Sequence, residues 1–366
     1  MTTTAVTRTS ALFAPLRLRD LELRNRVGVS PMCMFAVDDE SGCVNAWHAA
    51  HYGQFALGGA GLIITEATGV SPEGRVSAKD AGLWTEEHAQ AWRVVTDTVH
   101  RAGAAIAVQL GHTGRKGSLY RALAIDPRDE RGSIADDAHG GWETIGASGE
   151  AFGSYKIPRE GTTVDLEQVV ADFGNAARLA VVAGFDAVEL HAAHGYLVHE
   201  FLSPVTNPRV DEWGQDKELL LLKVVDAVRA QLPDSMPLIV RLSVDDVAPG
   251  GLTAADSADL ARRLKDRGVD MIDCSSGGLI AGVEYDPSPG YQVPGSATVR
   301  SGAEIATAAV GMIAEPALAE RIVAEGEADV VLLGREMLRD PHWARRAERE
   351  LTGAATIEPR YFRAYR

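Results

Sequence analysis

Long apolar runs are missing from this chain of 366 residues. No stretch approaches the ~18 apolar residues that a membrane-crossing helix needs. Cysteine is scarce. Cys33, Cys43 and Cys274 are the three present, too few for a disulfide framework and without the C-x-x-C spacing of a zinc or cluster site. Basic residues are outnumbered, 36 Lys and Arg against 51 Asp and Glu, for a net charge of −15 and a pI near 5.1. That balance speaks against nucleic acid or an anionic membrane as partner. Residues 1–11 (MTTTAVTRTSA) have no signal-peptide layout and read as a frayed, Thr-rich tail, so the chain is expected in the cytoplasm. What remains, 46% hydrophobic and 24% charged, is globular chain, enough for one large core or two small ones.

A strand-then-helix rhythm runs through it. After a short polar–apolar alternation at Leu16 to Arg26, expected to be a hairpin, eight strands are predicted. They are Val27–Met32, Gly61–Ala67, Ala105–His112, Ala187–His194, Leu238–Ser243, Met271–Ser276, Ala306–Ile313 and Val330–Arg335. Helical patterns fall between them at His48–Leu57, Glu86–Ala102, Asp165–Ala183, Lys217–Gln231, Ala254–Asp266 and Glu315–Glu325. Strands alternating with helices imply parallel pairing through right-handed crossovers. Eight of them predict a single (β/α)₈ barrel over residues 12–350, with a long loop after the third strand. An open doubly wound sheet is the competitor, but no G-x-G-x-x-G opens a helix after the first strand.

A barrel of this kind collects its chemistry at the C-terminal ends of its strands. The polar residues lie there. The first strand ends in Ser30-Pro31-Met32-Cys33 and the second in Glu66-Ala67. The third ends near Gln109 and His112, with Arg115 and Lys116 just beyond. The fourth carries His191 and His194, the fifth Arg241, the sixth Ser275-Ser276. The last two end in glycines, Gly311 and Gly334-Arg335, where barrels bind phosphate through backbone N–H groups. On a continuing strand His191 and His194 would face opposite sides, so both can line one pocket only if the chain curls there, next to Gly195 and Tyr196. Glu189 shares the parity of His191 and points into the barrel, where an unpaired carboxylate is costly. It is therefore expected to have a partner on a neighbouring strand, Arg241 being one candidate.

Together, SPMC at 30–33, HAAHGY at 191–196, FLSP-x-x-N at 201–207, VRLS around Arg241 and GRE-x-x-RDP at 334–341 resemble the old yellow enzymes, FMN-dependent ene-reductases on a (β/α)₈ barrel. Cys33 and the second histidine resemble the bacterial thermophilic-like subclass. The resemblance implies that Ser30, Pro31, Met32, Cys33, Ala67, Gln109 and Arg241 lie along the flavin, and that Gly334 and Arg335, with Gly311 and Ser276, hold the FMN phosphate. Cys33 would tune the flavin, and Arg241 would stabilise its reduced, anionic form. NADPH or NADH would reload it, and hydride would leave N5 for the β-carbon of an activated alkene. His191 and His194 would bind that substrate's oxygen while Tyr196 protonates its α-carbon. Phe35 and Lys116 would line the substrate side.

Three departures from the family pattern stand out. Phe35 occupies a position where the subclass has tyrosine, the stretch after Gly214 is shortened, and residues 117–163 form a long glycine-rich loop whose tip, 126–141, is expected to be mobile. The tail at 351–366 resembles one in which an arginine, here Arg363, reaches a neighbouring subunit's site, implying a homodimer or homotetramer. Alternatives left open are an FMN-binding oxidoreductase of another substrate class, a flavin-binding protein of low turnover, and a metal-dependent barrel hydrolase using the histidines with Glu66 or Glu189.

Overall fold

Eight short parallel strands close on themselves in a computed structural model that describes residues 9–121, 141–284 and 287–365. Numbered along the barrel, they are β1 (Val27–Val29), β2 (Leu62–Gly69), β3 (Ala105–Gly111), β4 (Ala187–Ala192), β5 (Leu238–Ser243), β6 (Met271–Ser275), β7 (Ala306–Ala309) and β8 (Val330–Leu333). The strands pair in chain order, and β8 returns to β1 with Val331 opposite Val27 and Leu333 opposite Val29. The helices that follow each strand are α1 (Ala46–Leu57), α2 (Glu86–Arg101), α3 (Thr163–Ala183), α4 (Leu219–Arg229), α5 (Ala254–Asp266), α6 (Val293–Ala303), α7 (Pro316–Ala324) and α8 (Trp343–Thr352). This is the (β/α)₈ barrel that the rhythm predicts.

Side-chain alternation sorts the strands into two surfaces. Outward residues such as Ile63, Ile106, Val188 and Val240 pack under the helices, where α3 contributes Leu166, Phe173, Ala177 and Ala180. That helix starts at a capping box, Thr162 with Asp165, and stops at Gly184 in the left-handed conformation (φ +80°) that glycine adopts without steric cost. Inward residues of the lower barrel are apolar: Leu62, Ile64, Ala107, Ala187, Ile239 and Met271 meet Leu18 and Leu23 of the N-terminal hairpin, Leu16–Leu18 paired with Leu21–Leu23. Two residues further up β3, β4, β5 and β6 stand Gln109, Glu189, Arg241 and Asp273. The interior thus turns from apolar at the plugged bottom to polar at the top.

Several boundaries differ from the sequence expectation. The first strand stops at Val29, so Ser30 to Met32 already belong to the mouth. The seventh stops at Ala309, because Gly311 turns the chain at φ +124°. Helix α6 was not expected, since VPGSATVRSGA is rich in poor helix formers; nor was α8. The tail expected to fray through residue 11 is tied down earlier. Glu320 of α7 accepts from Ser10 Oγ (2.5 Å), Ala11 N (2.8 Å) and Leu12 N (3.0 Å). The shortened stretch after Gly214 is closed by Lys217, whose Nζ donates to Asn207 O (2.6 Å) and Gly214 O (2.7 Å). Most of the loop tip expected to be mobile lies outside the described residues.

Candidate active site

Two cavities open at the C-terminal mouth of the barrel. One, of about 590 Å³, is bordered by Cys33, Phe35, Lys116, Phe152, Tyr155 and Tyr196. The other, of about 270 Å³, is bordered by Arg241, Gln292, Gly311, Met312, Gly334 and Arg335. Ser276 lies on a neighbouring cavity instead, with Ser275 reaching both. Arg363 borders neither cavity; it is exposed, its guanidinium 5.9 Å from the ring of its own Phe362.

The wall carrying Cys33 is built from β1 and β2. Ser30 N donates to Leu333 O, keeping the chain beside β8 for one residue past the strand. A register shift between Ile64 and Ala67 brings Ala67 opposite Gln109 and leaves Glu66 fully buried. Glu66 accepts from Met34 N (3.1 Å) and Tyr52 Oη (3.0 Å), with His48 Nε2 at 3.5 Å. Phe35 follows in the left-handed region (φ +54°), a conformation that costs a non-glycine residue about 1–2 kcal/mol. Burial pushes the Glu66 carboxyl up to about 8. The Cys33 thiol is pushed well above its ordinary value by desolvation, reinforced by Asp80 and Glu66, so it stays protonated.

Below, Gln109 Nε2 donates to Glu189 Oε1 at 2.7 Å, so the partner expected for Glu189 on a neighbouring strand is Gln109. Arg241 is no solitary cation. Its Nε lies 3.2 Å from Asp273 Oδ2 and its Nη1 donates to Ser30 Oγ (3.4 Å). Burial, and then Asp273, push the Glu189 carboxyl up, and the Arg241 charge offsets only part of that rise.

The opposite wall is the turn after β4. The strand ends at Ala192, and His194 (φ +57°) and Gly195 (φ +71°) are both left-handed, which curls the chain and brings the two imidazoles together. Three backbone atoms of this turn are clamped. His194 N donates to Ser243 Oγ (2.9 Å), Gly195 N to His199 Nδ1 (2.9 Å), and Lys116 Nζ donates to His194 O (2.8 Å) and Gly278 O (2.9 Å). His199 is itself held by Asp246, 2.7 Å from its Nε2. Sequence reasoning missed His199 and Asp246, and the contacts that Ser243 and Ser275 make to His194, since no local pattern links residues so far apart in the chain.

His191 Nδ1 accepts from Ala193 N (3.3 Å), so the ring's proton sits on Nε2, which faces His194 Nδ1 at 3.4 Å. His194 Nε2 is 2.7 Å from Ser275 Oγ. Burial and then Arg241 hold both imidazoles well below their usual value, so both are neutral. The Tyr196 ring lies tilted against His191, centroids 4.5 Å apart, and burial raises its phenol well above 10. Among the described residues no three His, Cys, Asp or Glu side chains gather in a metal-ligating group, and no helix is long and apolar enough to cross a membrane.

The second cavity fits an FMN phosphate and its polar chain. Arg241 and Arg335 supply cations at its border. Gly311 (φ +124°) keeps backbone open at this border, where a Cβ would come 3.0 Å from Gln292 Nε2.

Residues 11–353 match the model of the NADH:flavin oxidoreductase / NADH oxidase family. An NADPH dehydrogenase of Geobacillus sp. (strain WCH70) is 41% identical over 359 residues, covering 97% of this chain and 98% of that protein. Among solved structures, morphinone reductase in complex with tetrahydroNAD superposes with a TM-score of 0.76 at 26% identity, over 96% of this chain and 93% of its own. The old yellow enzyme homologue from Zymomonas mobilis gives 0.77 at 25%, over 97% and 99%. The chain belongs to the NADH:flavin oxidoreductase / NADH oxidase family and is an NAD(P)H-dependent FMN oxidoreductase.

Proposed function

We propose that this member of the NADH:flavin oxidoreductase family is an ene-reductase, acting on an enone, enal, maleimide or nitroalkene. Ser30, Pro31, Met32, Cys33, Ala67, Gln109 and Arg241 would hold the FMN ring, and Gly311, Gly334 and Arg335 its phosphate. Bound FMN would supply the two-electron chemistry, accepting hydride from NADPH or NADH and delivering it to the β-carbon of the alkene.

The chain's own residues do the rest. Negative charge grows on the substrate's carbonyl or nitro oxygen, and His191 and His194, being neutral, meet it as hydrogen-bond donors. A preorganised donor of this kind is worth about 3–4 kcal/mol. Tyr196, protonated because burial opposes its ionisation, gives its proton to the α-carbon. Lys116 fixes the turn that carries His194 and Tyr196. Phe35, Phe152 and Tyr155 form an apolar wall that favours uncharged substrates. The exposed Tyr361 and Phe362 beside Arg363 give the tail apolar surface suited to a second copy of the chain, in a homodimer or homotetramer.

The observation that carries this reading is the tilted ring contact of His191 with Tyr196, which borders the same cavity as Cys33. Anaerobic stopped flow tests it. Tyr196→Phe should slow oxidation by 2-cyclohexen-1-one by about 10²–10⁴-fold while NADPH-driven bleaching of the flavin is retained. Equal oxidation rates in the two proteins would remove Tyr196 from the reaction, and absence of turnover with every alkene class would leave a flavin-binding protein.

A further inference from the structure

We propose that Ser275 lets His194 hold either tautomer, and that its hydroxyl swings from Gln292 to His194 Nε2 when a substrate oxygen enters. The proposal rests on the reading of His191 and His194 as a donor pair.

The two imidazoles present facing nitrogens, His191 Nε2 and His194 Nδ1, 3.4 Å apart. The proton of His191 is fixed on Nε2 because its Nδ1 already accepts from Ala193 N. With the pair as it stands, that proton leans toward His194 Nδ1, which must then be bare. The proton of His194 therefore sits on Nε2 and is donated to Ser275 Oγ at 2.7 Å. Ser275 in turn donates to Gln292 Oε1 at 3.2 Å. In this arrangement only one of the two rings has a proton facing the gap.

Binding an oxygen with both rings requires the other tautomer. An oxygen placed about 2.9 Å from each nitrogen sits symmetrically over a 3.4 Å base, so the spacing suits a single bridging acceptor. His194 must then carry its proton on Nδ1, and its Nε2 must accept. A serine hydroxyl can serve either state, because it both donates and accepts. Its turn toward Nε2 leaves Gln292 satisfied, since Ser276 Oγ already donates to Gln292 Oε1 at 2.8 Å. The amide is anchored at its other end, Nε2 donating to Val310 O at 3.2 Å. One proton leaves Nε2 and one arrives at Nδ1 through solvent at the mouth, so the ring stays neutral throughout. Ser275 acts through His194 and is a positioning residue, not a catalytic one.

The test uses the full-length FMN-loaded protein, oxidised and without reductant, so that 2-cyclohexen-1-one binds without turning over. Nitrogen-15 NMR of labelled histidines reads which nitrogen of His194 carries the proton. The expected result is a proton on Nε2 in the ligand-free wild type and on Nδ1 once the enone is bound. Ser275→Thr keeps this exchange, and Ser275→Ala loses it, with a Kd for the enone raised about 5–10-fold. A His194 that keeps its Nε2 proton with enone bound overturns the proposal. So does a Ser275→Ala protein with wild-type signals and wild-type enone Kd. If Ser275→Ala does not fold, the wild-type spectra alone decide. Failure of the donor-pair reading is separately visible, as enone affinity that is unchanged in His191→Ala.

Discussion

Replacing Lys116 with methionine separates two roles for this lysine at the cavity bordered by Cys33 and Tyr196. Its ammonium donates to His194 O at 2.8 Å and Gly278 O at 2.9 Å, and rides 3.9 Å over the Phe152 ring. Methionine keeps the length and the contact with Phe152 but removes the donors. A charge-assisted hydrogen bond contributes about 1.5–3 kcal/mol when buried. Lys116 is only half-buried and water replaces part of the loss, so roughly 1–2 kcal/mol in all is the working figure. An unfolding entropy of about 2.1 cal/mol/K per residue over 366 residues comes to about 0.8 kcal/mol/K. The expected fall in Tm is therefore about 1–3 °C by calorimetry. Freed at its carbonyl, the turn shifts His194 and Tyr196, and misplacement of that order costs about 10–100-fold in kcat. An unchanged Tm and kcat with a raised KM would refute this, and would make Lys116 a substrate contact.

Gly195→Ala should abolish activity and lower stability by about 2–4 kcal/mol, because the new Cβ would sit 2.5 Å from Gly278 O at φ +71°. Gly250→Ala, at φ +79° with nothing within 4 Å, isolates the backbone part of that cost and should lose only about 1 kcal/mol in urea unfolding. Stability should also depend on pH from both sides. Glu66, with its folded value pushed up to about 8 from 4.5, stabilises fully below 4.5 and loses that contribution as pH rises through 8. His48 and His51, pushed down to about 4 from 6.5, favour the fold above 6.5 and lose their contribution as pH falls toward 4. Thermal melts across pH 4–9 should show the alkaline limb flattened in Glu66→Gln; an identical limb would mean that Glu66 is ionised throughout.

The barrel was legible because its two periodicities, alternation in strands and apolar spacing in helices, are local. Parity alone put Glu189 inside and required a partner on the next strand. It could not choose between Gln109 and Arg241, which depends on how far up each strand the layers stand. The curl that unites His191 with His194 was inferred from side-chain alternation. Its left-handed residue, however, is His194 as well as the expected Gly195. Helix α6 escaped because its composition is poor in helix formers, and with it went Gln292, the far end of the Ser275 chain. The Tyr52–Glu66–Met34 contacts escaped for another reason: a register shift in β2 turns a nominal strand residue into a buried bracket for the loop beyond β1.

The N-terminal hairpin closes the lower end of the barrel with Leu18 and Leu23. A tube stoppered at its base has one doorway, so whatever enters must back out the way it came. On the ene-reductase reading, reductant and alkene would use that doorway in turn, and an excess of either should delay the other.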